Sequence, residues 1–268
     1  MNNEVVKFRK NQRIKKISQI LLQIGLLTFI LILWEVLVNI KVLNEFLVSK
    51  PSAIFELFIK YFGEGTIWND IGISLLETTL GLIIGTALGL IIAIILWLSK
   101  SLAKILEPFL VVLNALPKTA LAPIIIIWAG TGVKGIVVVA ISISLVLTIL
   151  SAYSYFVNVD ENQIKMLQTF NANKFQILWK LILPANFVNI INIIKINIGM
   201  SWVGVMVGEF LVSRAGIGYL TMYGSQVFQL DLVMMCVILL AFIAFIMYEI
   251  VNIIEIYYRK RRWFFFFY

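Results

Sequence analysis

The amino-acid sequence predicts an all-α polytopic membrane protein with about six transmembrane helices. Of its 268 residues, 61% are hydrophobic and 13% charged. A soluble domain carries about 45–50% and about 25%. Mean hydropathy is +0.99. Apolar runs of about 18 residues or more, long enough to cross a bilayer, recur along the chain. A β-barrel would instead alternate polar and apolar residues over segments of about 10.

The first run covers residues 17–40 and follows Lys7, Arg9, Lys10, Arg13, Lys15 and Lys16. It is too long for a signal peptide and no small-x-small cleavage site follows, so it reads as an uncleaved helix. Residues 51–62 form a short amphipathic stretch with Ile54, Phe55, Phe58 and Ile59 apolar, suited to the membrane interface. The second run, 71–98, places Gly81, Gly85 and Gly89 four apart on one helical face, where two backbones can approach closely. Pro108, Pro117 and Pro123 interrupt the third, 106–129, with Lys118 beside the middle one. Proline kinks or breaks a helix. The run is therefore either a kinked helix whose Lys118 reaches the surface or a broken element lining a pathway. Further runs lie at 135–157, 185–212 and 230–257, and the fifth repeats the small-residue spacing with Gly204 and Gly208. The chain divides into a basic tail (1–16), a first helix with an outer interfacial segment (17–70), a core (71–258) and a basic, aromatic tail (259–268).

Six spans return both ends to one side. That side would hold fifteen Lys and Arg: the six of the first tail, Lys100, Lys104, Lys165, Lys174, Lys180 and the four at 259–262. The other would hold five: Lys41, Lys50, Lys60, Lys134 and Arg214. The positive-inside rule makes the richer side, and both termini, cytoplasmic. The net charge of +8 then reflects topology and attraction to anionic lipid. No basic patch with interleaved aromatics occurs outside the tails, so a nucleic-acid partner is not expected. Residues 263–268 read as an interfacial aromatic anchor.

The totals exclude much chemistry. There is no histidine, and the single cysteine, Cys236, sits in an apolar run as a small buried hydrophobe. No G-x-x-x-x-G-K-[ST] loop exists, and residues 130–135 read as a tight turn. No catalytic residue, metal or cofactor is expected, and no ATPase site of the chain's own. Ionisable groups inside spans are costly and are functional candidates by default. Glu77 and Glu249 lie near span ends and are expected to reach the interface. Lys195 and Glu209 are 14 residues apart on one helix, about 21 Å, so each needs another partner or water. An intramembrane enzyme would need a close pair of carboxylates or a similar constellation, and none is visible. A secondary transporter would need midplane carboxylates and usually an internal repeat. The ionisable groups are scattered and no repeat shows.

The segment 160–184 is too long for a connection inside a tight bundle, where about 2–8 residues is usual. It reads as two short helices. Ile164, Met166, Leu167, Gln168 and Phe170 belong to the first, and Asn171 can end it by tolerating a left-handed backbone. Asn173 can cap the second, whose Phe175, Ile177, Leu178 and Leu181 lead to Pro184. Met166 and Phe170 suit insertion into a partner's groove. The alternative is a helix lying flat on the bilayer or on its own bundle.

This segment resembles the "EAA" loop of ABC-importer permeases, the inner-membrane components of binding-protein-dependent transport systems. The family pattern E-A-A-x-x-x-G, ending in a hydrophobic-Pro, reads here as Lys165 through Asn171, ending in Leu183-Pro184. The match continues through Lys195 to Trp202, Val207-Gly208-Glu209-Phe210 and Gly216-Ile217-Gly218-Tyr219-Leu220. Upstream, Glu107-Pro108 and the stretch from Ala115 to Gly132 resemble the nitrate, sulfonate and taurine branch. The resemblance spans roughly 70–262.

It implies a type I ABC-importer permease-like bundle in a bacterial inner membrane, transporting a small solute of nitrate, sulfonate or taurine type. A cytoplasmic coupling loop (Lys165, Met166, Leu167, Phe170, Asn171, Ala172, Lys174, Phe175) would dock on a separate ATP-binding-cassette ATPase. A solute-binding protein outside and a second permease copy, as a homodimer, complete the implied assembly. Lys118, Trp202 and Glu209 are its implied pathway residues. Lys165 stands where the family has glutamate, which inverts a charge at the ATPase contact. Asn171 replaces glycine and can keep the turn.

Overall fold

The computed structural model describes the backbone of residues 3–265 and the side chains of 18–258 apart from residue 20. The basic side chains of both tails and the aromatic ones of 263–268 lie outside the described residues. Among the described residues all regular elements are helices. They form two compact units, one of residues 1–64 with 224–235, the other of 65–223 with 236–268.

In the first unit, α1 (Asn3–Asn39) contains the apolar stretch Leu21–Asn39. A turn through Lys41 at φ +60° ends it. The short α2 (Glu45–Val48) is capped by Asn44, whose side chain accepts from the Phe46 amide. Proline opens α3 (Pro51–Glu64), where a missing N–H costs nothing. Glu35 of α1 accepts from the Ser52 amide at 3.1 Å and its hydroxyl at 2.8 Å, which fastens the start of α3 to α1. Of the four apolar residues expected to share a face of α3, only Ile54 is buried, whereas Phe55 and Ile59 are exposed.

The second unit is built on α4 (Ile67–Leu98), α7 (Val133–Val157) and α11 (Phe187–Val212). The small residues decide how they pack. A Cβ at Gly81 would fall 2.7 Å from that of Ala140, and one at Gly89 would fall 2.5 Å from that of Thr148. Between them Gly85 lies against Ser144. From α11, Gly204 rests on the Ala140 backbone and Gly208 on Ile136, 3.0 Å from where its Cβ would be. Residues 136, 140, 144 and 148 of α7 thus meet a four-residue repeat from each neighbour. Helices in lipid gain their packing this way, by contact rather than by leaving water.

The third apolar run is divided. Helices α5 (Lys100–Ala115) and α6 (Lys118–Ala129) meet at Leu116 and Pro117 with a bend of 100°. Pro108 and Pro123, expected to interrupt the run as well, lie inside these helices. Among the described residues five helices are long and apolar enough to cross a membrane, and the bent pair would be a sixth. The fifth of them lies in α13 (Leu230–Phe265).

Between α7 and α11 the chain forms α8 (Glu161–Thr169), α9 (Lys174–Ile177), one π turn (Leu178–Ile182) and α10 (Leu183–Ala185). The π turn precedes Pro184, whose ring cannot sit against a normal i−4 carbonyl. The α11–α12 loop leads to α12 (Ile217–Gln226). The α8–α9 segment and this loop flank opposite ends of α11.

Candidate functional site

The α8–α9 segment is folded by its own side chains. Asp160 caps α8 by accepting from the Asn162 amide at 2.9 Å. At the far end Asn171 has φ +56°. Its amide bonds to the Gln168 carbonyl at 2.9 Å, and the Ala172 amide bonds to Leu167 at 3.1 Å. This is a Schellman ending, which needs a left-handed residue at that position. Asn173 then caps α9 in a reciprocal box with Gln176, both bonds 2.8 Å long. Ile164, Leu167 and Ala172 pack on a buried cluster that includes Phe156, Ile177 and Ile182. The opposite face is left open: Met166 is 55% exposed, Phe170 77% and Phe175 62%. Lys165 forms an exposed pair with Glu161 one turn back at 3.3 Å. Lys174 donates to the Leu98 carbonyl at 3.1 Å, which ties the segment to the end of α4.

Near the other end of the bundle Glu209 is 1% exposed. Its Oε1 accepts from the Ser74 hydroxyl at 2.5 Å, and its Oε2 from the amides of Gly218 at 2.6 Å and Tyr219 at 3.3 Å. Ser74 in turn accepts from the Ile217 amide at 2.8 Å, and Asp70 from Gly216 at 2.7 Å. Three side chains therefore satisfy the free amides at the start of α12. Gly216, at φ +111°, and Gly218 are needed because the Glu209 carboxyl occupies the place of a Cβ. Glu77 was expected at the interface. It is 1% exposed instead and lies beside the Glu209 carboxyl. The expectation that no two carboxyls lie close together within the spans is corrected by this pair.

A second polar group lies between α4, α7 and α11. Asn197 donates to the hydroxyls of Thr86 and Thr148, each at 2.8 Å. Trp202, 2% exposed, is buried nearby in sequence with no hydrogen-bond partner for its Nε1. Lys195 pairs with Glu255 of α13 at 2.6 Å, bonds Asn252 at 2.8 Å and stands 5.1 Å from the Tyr248 ring centre. Glu249 accepts from Asn252 at 3.2 Å. Lys118, half-buried, opens α6 and donates to Asn114 across the bend at 3.3 Å. Of the pathway candidates, Trp202 and Glu209 are interior residues of α11, while Lys118 belongs to the α5–α6 elbow.

Sequence reasoning passed over Asp70, Ser74, Asn197 and Glu255, and expected Glu77 at the interface. A signal for the inward placement of Asp70, Ser74 and Glu77 was present. Asp70, Ser74 and Glu77 lie on the same helical stripe as Gly81, Gly85 and Gly89, which had to face protein.

The profile of the family described as "Binding-protein-dependent transport system inner membrane component" matches residues 85–261. The chain belongs to that family and is a membrane permease of the ABC-importer class. It is 24% identical over 234 residues to the taurine transport system permease protein TauC of Escherichia coli, covering 85% of each chain. It is 27% identical over 234 residues to the riboflavin transport system permease protein RibX of Chloroflexus aurantiacus, again covering 85% of each. Among solved structures it resembles the MetNI methionine ABC transporter in inward-facing form, with a TM-score of 0.55 and 13% identity. That match covers 71% of this chain and 93% of the other, and supports the fold. The two relatives are named for chemically unlike solutes.

Proposed function

We propose that the chain is the permease subunit of an ATP-driven importer and that α8–α9 is its docking element for a separate ATPase. The observation that carries this is the α8–α9 surface. Capping and core contacts fix the segment on its inner side, while Met166, Phe170 and Phe175 remain uncovered outside. A rigid mount under an apolar tip is what insertion into a partner's groove requires. The ATPase supplies the nucleotide chemistry, a solute-binding protein delivers cargo to the opposite face, and a second copy of this chain completes the path. Both termini and α8 are cytoplasmic. Lys118 at the elbow lines the pathway, and Trp202 and Glu209 shape it from inside the bundle. The cargo is a small solute.

The test is affinity purification of the tagged chain from native membranes, with partners read by mass spectrometry. A soluble ATPase co-purifies with the unaltered chain and is lost with Met166→Glu/Phe170→Glu, which places charge in an apolar contact. Retained ATPase in that variant refutes the docking role.

The Glu77–Glu209 pair favours one second reading, a stand-alone proton-coupled transporter. Flux driven by a pH gradient through this chain alone in liposomes would establish it.

A further inference from the structure

The group around Lys195, on the half of α11 nearer the α8–α9 segment, holds more acid than its one base requires. The ammonium donates to Glu255 of α13 at 2.6 Å and to the Asn252 side-chain oxygen at 2.8 Å, and stands 5.1 Å from the centre of the Tyr248 ring. The Lys195 and Glu255 side chains are only 11% and 10% exposed, so this is a buried ion pair within two spans. One carboxylate suffices for one ammonium, yet a second stands by. Glu249, half-buried, accepts from the Asn252 side-chain nitrogen at 3.2 Å. Among the described residues no Lys or Arg lies within ion-pair distance of Glu249.

Glu249, Asn252 and Glu255 recur every three residues. They are therefore consecutive rungs on one side of α13, about 4.5 Å apart along its axis. Asn252, the middle rung, accepts from Lys195 with its oxygen and donates to Glu249 with its nitrogen. A shift of this stretch of α13 by one rung puts Asn252 where Glu255 stands and Glu249 where Asn252 stands. Lys195 then exchanges one carboxylate for the other and keeps the amide between them throughout. In a bilayer that continuity matters, because an ammonium without a partner is strongly disfavoured there. The flexible lysine stem, with three donors at its tip, can follow the exchange.

The packing leaves this helix pair free to move. Gly81, Gly85 and Gly89 of α4 and Gly204 and Gly208 of α11 all rest on α7, which fixes those three helices to one another. Helix α13 contains no glycine, and Gly199, the remaining glycine of α11, meets nothing within 4 Å. No such close backbone contact locks α13 to α11.

We propose that Lys195 is the slider of a two-position latch between α11 and α13, paired with Glu255 in the form seen and handed to Glu249 when α13 moves by one rung. The inference rests on the permease reading only in taking this movement to be part of the transport cycle. One-turn displacements of one helix past another are a known form of switching transition.

The experiment labels the purified full-length chain in lipid nanodiscs with dicyclohexylcarbodiimide, which couples to protonated carboxyls within a bilayer, and reads each site by mass spectrometry. In the unaltered chain Glu249 is modified and Glu255 is not. In Glu255→Gln the ammonium moves to Glu249, whose labelling slows by about tenfold or more, the factor expected for one charged hydrogen bond. Thermal unfolding supplies a second readout. Glu249→Gln and Glu255→Gln each lower the melting temperature, and the double variant, which leaves Lys195 no carboxylate, lowers it by more than the two shifts together. Should Glu255→Gln not fold, Glu255→Asp withdraws the charge by one methylene and slows Glu249 labelling in the same sense. In the complex co-purified with its ATPase, trapping with Mg-ATP and vanadate protects Glu249 relative to the nucleotide-free complex. Unchanged Glu249 labelling in the Glu255 variants, melting shifts that simply add, or equal labelling of the trapped and nucleotide-free complexes overturns the proposal. A latch that answers to the substitutions in a chain that captures no ATPase would instead stand and remove the importer reading.

Discussion

Asn171 and Glu209 each fix a turn of backbone, by different means. Asn171 bends the chain through its own left-handed conformation, φ +56°. Glycine adopts that conformation freely and a β-branched residue does not. Asn171→Gly should therefore melt at or slightly above the temperature of the unaltered chain, and Asn171→Val should lose about 1–2 kcal/mol, read by thermal unfolding in detergent. Glu209 works from a distance, by accepting amides that its own helix does not contain. The role of Asn171 was legible because it depends on residue type and local spacing alone. The partners of Glu209 were less so, since Ser74 is 135 residues away. Sequence distance hides such pairs unless the face of the second helix is already known. For Glu77 it was available: the carboxyl continues the glycine stripe of α4, and that stripe could not face lipid.

Helices α4, α7 and α11 share a spacing of four small or polar residues, and this spacing sets their approach. The prediction follows from where space runs out. Gly85→Ala and Gly204→Ala push a methyl group into Ser144 and the Ala140 backbone and should each cost about 1–3 kcal/mol. Gly199→Ala, in the same helix α11, meets nothing within 4 Å and should be neutral or stabilising by up to about 1 kcal/mol. Thermal unfolding of the three variants separates crowding from helix propensity, and equal shifts would discount the close packing. The broken third run was partly legible. Three prolines announced a disturbance, but only Pro117 marks the elbow. Pro108 and Pro123 lie within α5 and α6. Nothing in a proline's neighbours along the chain says whether tertiary packing will hold a helix around it.

Over the whole molecule, charge asymmetry predicts which end faces the cytoplasm. Cys236 is buried, so cysteines introduced at exposed sites can report topology without removing it. Thr131→Cys should react with a membrane-impermeant maleimide in intact cells, and Gln168→Cys only after permeabilisation. The reverse pattern would invert the proposed orientation. At this scale the membrane class and the number of apolar runs were readable from composition and periodicity. The division into two units was not, because it depends on residues 224–235 grouping with the first 64.

The anchoring of Lys174 on the Leu98 carbonyl has a mechanical consequence. It couples the α8–α9 segment to the end of a 32-residue helix, about 48 Å long. Along that helix Gly81, Gly85 and Gly89 rest directly on α7, and close-packed contacts transmit load rather than deform. A displacement of the α8–α9 segment would therefore reach α4 first and, through those three glycines, α7.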